Sequence, residues 1–145
     1  MTFFSDLVRC ETRLYNSLND LMRTRHGIAA SQFESLHYLR DHPGARVADL
    51  AEFFAAGVGA ISKGIDRLEG RGWVKRIPNP ADRRSSLLEL TDSGRALVSD
   101  ASTTFTTITE LIHAVLEPEH LDAATQALRM LRAALERDKI GIPVG

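Results

Sequence analysis

AISKGIDRLEGRGWVKRIPNPADRRSSLLEL, residues 60–90, is the stretch whose reading decides the fold. Ile61, Ile65 and Leu68 recur at helical spacing, which predicts a helix over about 60–71 with Gly72 as its stop. The helical period ends there. Residues 73–77 read as a strand, and residues 78–85 form a polar loop whose two prolines cannot continue it. Residues 86–90 read as the returning strand. Just upstream, residues 47–54 predict a short helix with Leu50 and Ala51 inward, and Gly57-Val58-Gly59 supplies a tight turn. Two helices across such a turn are a helix-turn-helix, and a hairpin directly after it is a wing.

Working outward, Phe4, Leu7, Leu14, Leu18 and Leu21 share a stripe, so a first helix is expected over about 4–25, ended by Gly27. Ser31-Gln32-Phe33-Glu34 reads as a capping box opening a helix that carries Phe33, Leu36 and Leu39 and stops near Asp41. After the wing, Thr91 or Asp92 caps a long helix to about 116, with Leu97, Ala101, Phe105, Ile108, Ile112 and Val115 on one stripe. Pro118 suits the first turn of a last helix. Its Leu121, Ala124, Leu128, Leu131 and Leu135 make a narrow seam of the kind that packs on another helix. The expected class is therefore mainly α: a winged helix-turn-helix lobe over 31–91, a helical base from 1–30 and 92–137, and a disordered tail over 138–145.

The chain of 145 residues is 43% hydrophobic and 26% charged, which favours an ordinary globular domain over disorder. Its net charge is only −1, so any nucleic-acid contact must come from local concentration of positive charge. One cysteine excludes an internal disulfide framework and fits a reducing cytoplasm. No signal peptide is read at the N-terminus, no apolar run is long enough to span a bilayer, and no membrane partner is expected.

A helix entering the major groove reads base edges with its exposed side chains. With Ile61, Ile65 and Leu68 inward, the outward set is Ala60, Ser62, Lys63, Asp66 and Arg67. Ser62 and Lys63 are the base-contact candidates, and Arg67 suits a base or a phosphate. Asp66 would repel phosphate and is expected to orient a neighbour. Arg83 and Arg84 fall at the wing tip. With Lys75 and Arg76, the hairpin carries four positive charges against Asp82 and Glu89, and Arg76 is expected among its DNA contacts. A merely solvated helix face and a charged hairpin that blocks edge aggregation are the plainer alternatives.

The segments Val47-Ala48-Asp49-Leu50-Ala51, residues 61–69, Gly72-Trp73-Val74-Lys75-Arg76, Asn79-Pro80-Ala81-Asp82-Arg83-Arg84 and Leu90-Thr91-Asp92-Ser93-Gly94 stand in a specific order and spacing. In that arrangement the chain resembles the MarR family of winged helix-turn-helix regulators over nearly its whole length. The resemblance implies a homodimer whose terminal helices form the base. It implies binding to double-stranded DNA at a pseudo-palindromic operator, usually as a repressor, and often with release by a small ligand. It implies Arg84 as the minor-groove residue, with Asp82 bracing the loop and Arg83 on phosphate. The sequence departs from the family at Ala48, where Ser or Thr is common, and at Gly64, which should cost about 1 kcal/mol relative to Ala inside a helix.

Some relatives of this kind sense oxidants through a cysteine in the first helix, which makes Cys10 a redox candidate. A small buried apolar residue is the simpler reading. His26, His37, His42, His113 and His120 show no metal-ligand spacing, and neither metal nor cofactor is expected. A small aromatic or other effector would sit between base and lobe. Arg13, Tyr15, His37 and Tyr38 are its candidate contacts, with Arg13 suited to an aromatic carboxylate. No nucleophile elbow, phosphate loop or metal triad is found, so an enzyme is not expected. A protein-interaction winged helix is the stronger rival, and Lys63, Arg67, Arg83 and Arg84 weigh against it.

Overall fold

The structure, a computed structural model, describes residues 1–143; Val144 and Gly145, the end of the predicted tail, lie outside the described residues. The order of elements is α1 (Thr2–His26), α2 (Ala30–Asp41), α3 (Val47–Phe54), α4 (Val58–Gly70), β1 (Val74–Pro78), β2 (Ser86–Leu90), α5 (Asp92–Val115) and α6 (Pro118–Arg137). β1 and β2 form an antiparallel hairpin in which Val74 pairs with Leu90 and Pro78 with Ser86. Ala45 bridges Leu88 from the loop before α3, so β2 is covered on its second edge. This is a winged helix-turn-helix enclosed by long terminal helices, as the sequence predicts.

One apolar core joins lobe and base. Met22, Leu36, Leu50, Ile65, Leu68, Leu88 and Val98 are essentially inaccessible, and Trp73 seals its edge. Leu18 and Met22 pack from the second half of α1, whereas Phe3 and Phe4 at its start are exposed. α1 ends as expected at Gly27, which takes the left-handed conformation (φ 66°) that glycine adopts without strain.

Three local expectations need correction. The cap of α2 is not Ser31. The cap position is Ala29, two residues earlier, and the helix begins at Ala30, where the Gln32 side chain accepts from the Ala29 amide (2.9 Å) and Asn19 of α1 accepts from the Ala30 amide (2.9 Å). A side chain distant in sequence thus replaces the local cap and leaves Glu34 for other use. The turn before α4 is residues 55–57, with Ala55 left-handed (φ 50°), so α4 starts at Val58 and takes in two of the three residues assigned to the turn. The buried stripe of α5 is Gly94, Val98, Ala101, Thr104 and Ile108, with Leu97 and Ile112 packed against the core; Phe105 is only partly covered, beside Phe33, and Val115 points out. Thr104 is tolerated inside because its hydroxyl lies 2.7 Å from His26 Nε2.

Of the two capping candidates for α5, Thr91 is the cap. Its hydroxyl accepts from the Gly94 amide (3.0 Å) and donates to the Gly72 carbonyl (2.6 Å), while its amide donates to the Trp73 carbonyl (3.0 Å). The end of α4, the base of the wing and the start of α5 therefore share one residue. The predicted tail does not begin as disorder: the Asp138 and Ile140 amides donate to Ala134 and Leu135 carbonyls, closing α6 with a turn.

Candidate nucleic-acid interface

On α4, Ile65 and Leu68 face the core, and Ala60, Lys63, Asp66 and Arg67 are exposed, with Ser62 half-buried. The helix is preceded by α3, whose missing Ser/Thr cap is replaced from the other side. Asp49 accepts from the Arg46 amide (2.8 Å) and pairs with its guanidinium (3.2 Å). Those bonds hold the Asp49 carboxyl below its ordinary range despite some desolvation.

Arg76 differs from its expected role. Its guanidinium donates to Asp66 (2.6 Å) and Glu69 (3.1 Å) of α4, and its side chain is only 25% exposed. A cation held by two carboxylates is a poor phosphate ligand, and we remove it from the contact set. It is instead the strut that fixes the hairpin against α4, and it is the neighbour that Asp66 orients. Lys75 lies 4.0 Å from Glu89 across the hairpin.

The wing tip is built by short side chains folding back on their own backbone. Asn79 accepts from the Ala81 amide (3.0 Å), and Asp82 accepts from the Arg84 amide (2.9 Å). The Asn79 amide group donates to the Ser85 hydroxyl (3.2 Å). These are turns in which Asn or Asp mimics backbone, and they leave the side chains of Arg83 and Arg84 outside, exposed. Among the described residues, Lys63, Arg67, Arg83 and Arg84 have no ion-pair partner, in contrast to Arg76. Asn79 was missed by the sequence reading, although an Asn two residues before a free amide is the signal for such a turn.

The effector candidates separate. His37 and Tyr38 line a cavity of about 310 Å³ between base and lobe, together with Phe53 and Phe54 of α3 and Phe105 of α5. Tyr15 stands beside it, donating to Glu34 (3.4 Å). Arg13 is exposed and does not line it, and the charged groups that do are carboxylates, Glu34 and Asp41. The expected arginine clamp for an aromatic carboxylate is absent there because position 13 falls on the outer face of α1. Cys10 is exposed on α1 in the single chain rather than buried. No group of His, Cys, Asp and Glu that could hold a metal occurs among the described residues.

Residues 28–86 match the family model described as MarR family. The chain is 37% identical over 70 residues to the multiple antibiotic resistance protein MarR of Escherichia coli K12, a match covering 48% of this chain and 49% of that protein. The chain thus spans about half the length of this relative. An uncharacterized HTH-type transcriptional regulator of Bacillus subtilis strain 168, YfiV, is 33% identical over 112 residues, 74% of this chain and 68% of that one. Among solved structures, the transcriptional repressor CouR bound to a 23-mer DNA duplex superposes with a TM-score of 0.81 at 27% identity, over 88% of this chain and 89% of that chain. The fold and its wing define a winged-helix regulator scaffold. The chain belongs to the MarR family.

Proposed function

We propose that the protein is a sequence-specific DNA-binding transcriptional regulator, a repressor that holds a pseudo-palindromic operator as a homodimer. The observation that carries this reading is the wing tip, where Asn79 and Asp82 occupy the local backbone donors and present Arg83 and Arg84 outward. Arg84 suits a narrow minor groove, where the negative potential is strongest, and Arg83 suits the phosphates. α4 is held at a fixed angle to the wing by Arg76, so both elements meet the duplex as one body. Ser62 and Lys63 then face base edges, Ala60 offers an apolar contact to a thymine methyl, and Arg67 reaches base or phosphate. The transcriptional repressor CouR, of the same fold and solved bound to a 23-mer DNA duplex, supports a DNA-binding reading.

The dimer reading rests on α6. None of its 20 residues is buried, and Leu128, Leu131 and Leu135 expose 36–43% of their surface along one seam. A helix with an apolar stripe and no cover within its own chain needs a second chain to bury it. The lobe over 31–91 then carries the DNA contacts, and 1–30 with 92–137 the base. No described helix is long and apolar enough to cross a membrane. The reading puts the protein in the cytoplasm with its operator.

The test is fluorescence anisotropy with the DNA upstream of its own gene, titrated with salt. Arg84→Ala should weaken binding by about 1–3 kcal/mol and flatten the salt slope by about 1 while leaving the dimer intact. Affinity undiminished in that variant would remove Arg84 from the interface. Absence of any salt-sensitive DNA binding by the wild type would favour a protein-interaction module.

A further inference from the structure

We propose that the leading turn of α4 selects the operator by thymine methyl groups, with Val58 and Ala60 as specificity-determining side chains and Gly59 as the gap that lets them reach the base edges. This deepens the DNA-binding reading and rests on it.

From Phe53 to Ile61 the chain runs without a polar side chain, through the end of α3, the turn and the start of α4. The core does not account for the last part of this run. Val58, Gly59 and Ala60 are exposed in succession, Val58 by 58%. In an α-helix the Cα–Cβ bond tilts toward the N-terminus, so a side chain of the first turn projects past the helix end. That end of the second helix is what a helix-turn-helix puts into the major groove. The exposed cations begin just behind it, at Lys63 and Arg67. Three small residues set beside these cations fall far short of a protein interface, which takes about 20–30 residues a side. Double-stranded DNA is the occupant that their surroundings match.

The chemistry of the base edges narrows the choice. In the major groove all four bases present donors or acceptors, and thymine alone adds a methyl group. An apolar side chain pressed on a donor or acceptor strips its water and returns no hydrogen bond. Pressed on a methyl, it buries apolar surface. Val58 and Ala60 are two residues apart, about 200° around the helix axis, so they flank the helix end and meet separate thymines.

Gly59 stands between them. A methyl group there would meet nothing within 4 Å in the chain. The position is helical, and glycine weakens a helix, so the fold itself would accept alanine. The space is of use to something that approaches from outside, and close approach of backbone to a ligand is what glycine permits.

The experiment uses the full chain. A bound sequence is first selected from a pool of randomised duplexes. Anisotropy is then measured on copies of that duplex in which each thymidine in turn is replaced by deoxyuridine, which removes the methyl and keeps every hydrogen-bonding group. Two positions in each half-site should show a loss of about four-fold in the wild type, the factor expected for one buried methyl. Val58→Ala should bring the loss at one of them below about two-fold, and Ala60→Gly the loss at the other. The readout is a ratio within one protein, so a change in folding cancels, and each variant decides its own residue. Gly59→Ala should weaken binding of the selected duplex by about ten-fold or more through overpacking at the interface, while its melting temperature is unchanged or raised. Undiminished affinity in that variant would overturn the role of the gap. A selected duplex that no deoxyuridine weakens, or methyl effects that both Val58→Ala and Ala60→Gly leave unmoved, would overturn the proposal. Selective binding that is blind to methyl groups sinks this proposal alone. A wild type that selects no sequence and shows no salt-sensitive binding sinks the regulator reading, and the proposal with it.

Discussion

Two glycines of the winged lobe and its exit have opposite meanings. A methyl group on Gly94 would stand 2.1 Å from the Trp73 carbonyl oxygen, a backbone atom that cannot step aside. Gly94→Ala should therefore destabilise the protein by about 3 kcal/mol through overpacking, although Ala is the better helix former. A methyl on Gly64 would meet nothing within 4 Å. Gly64→Ala should raise stability by about 1 kcal/mol. Urea unfolding of the two variants beside the wild type checks both signs, and a destabilised Gly64→Ala would mean that α4 is strained there. The sequence marks both positions as helical glycines and cannot separate them, because the difference lies in which backbone passes the missing side chain. Arg76 carries the same lesson. Its charge was legible, but its partners Asp66 and Glu69 sit on another element, so only the fold reveals that it is already neutralised.

Among the elements, those punctuated by local chemistry were legible. Gly27 and Pro118 mark boundaries through their own backbone preferences, and α3 and β2 have the predicted bounds, whereas Pro78, expected in the loop, is the last residue of β1 and pairs with Ser86 at the open end of the ladder. The start of α2 was misread because its cap comes partly from Asn19, eleven residues away on another helix. The start of α4 was misread because Ala55, not a glycine, takes the left-handed turn. The cap of α3 gives a pH-dependent prediction. Asp49 has its carboxyl lowered by the Arg46 bonds, so its contribution is present above the unfolded-state range of an aspartate and fades as pH falls through the lower folded value. Asp49→Ala should cost about 1 kcal/mol near neutrality and progressively less toward strong acid. Denaturant melts of both proteins across that range check it; a cost independent of pH would assign the loss to packing.

At the level of the whole molecule, the seam on α6 was legible from its spacing, whereas the cavity was not. Its rings come from α2, α3 and α5, which no sequence period relates, and the expected Arg13 lies on the wrong side of α1. Leu128→Glu puts a charge into the seam and should convert a dimer to a monomer in sedimentation, with loss of tight operator binding. A monomer that still bound the full operator tightly would refute the two-half-site arrangement. The Thr91 junction has a mechanical consequence. Because one threonine ties the turn between α4 and β1 to the first turn of α5, these parts are expected to swing as a single arm. The arm is long: 24 residues of α5 rise about 36 Å. A tilt of about 5° at its far end would carry the tip by about 3 Å, close to the step between stacked bases along one strand. In the proposed dimer, an angular change of that size would be enough to put two paired heads out of step with the pitch of the double helix.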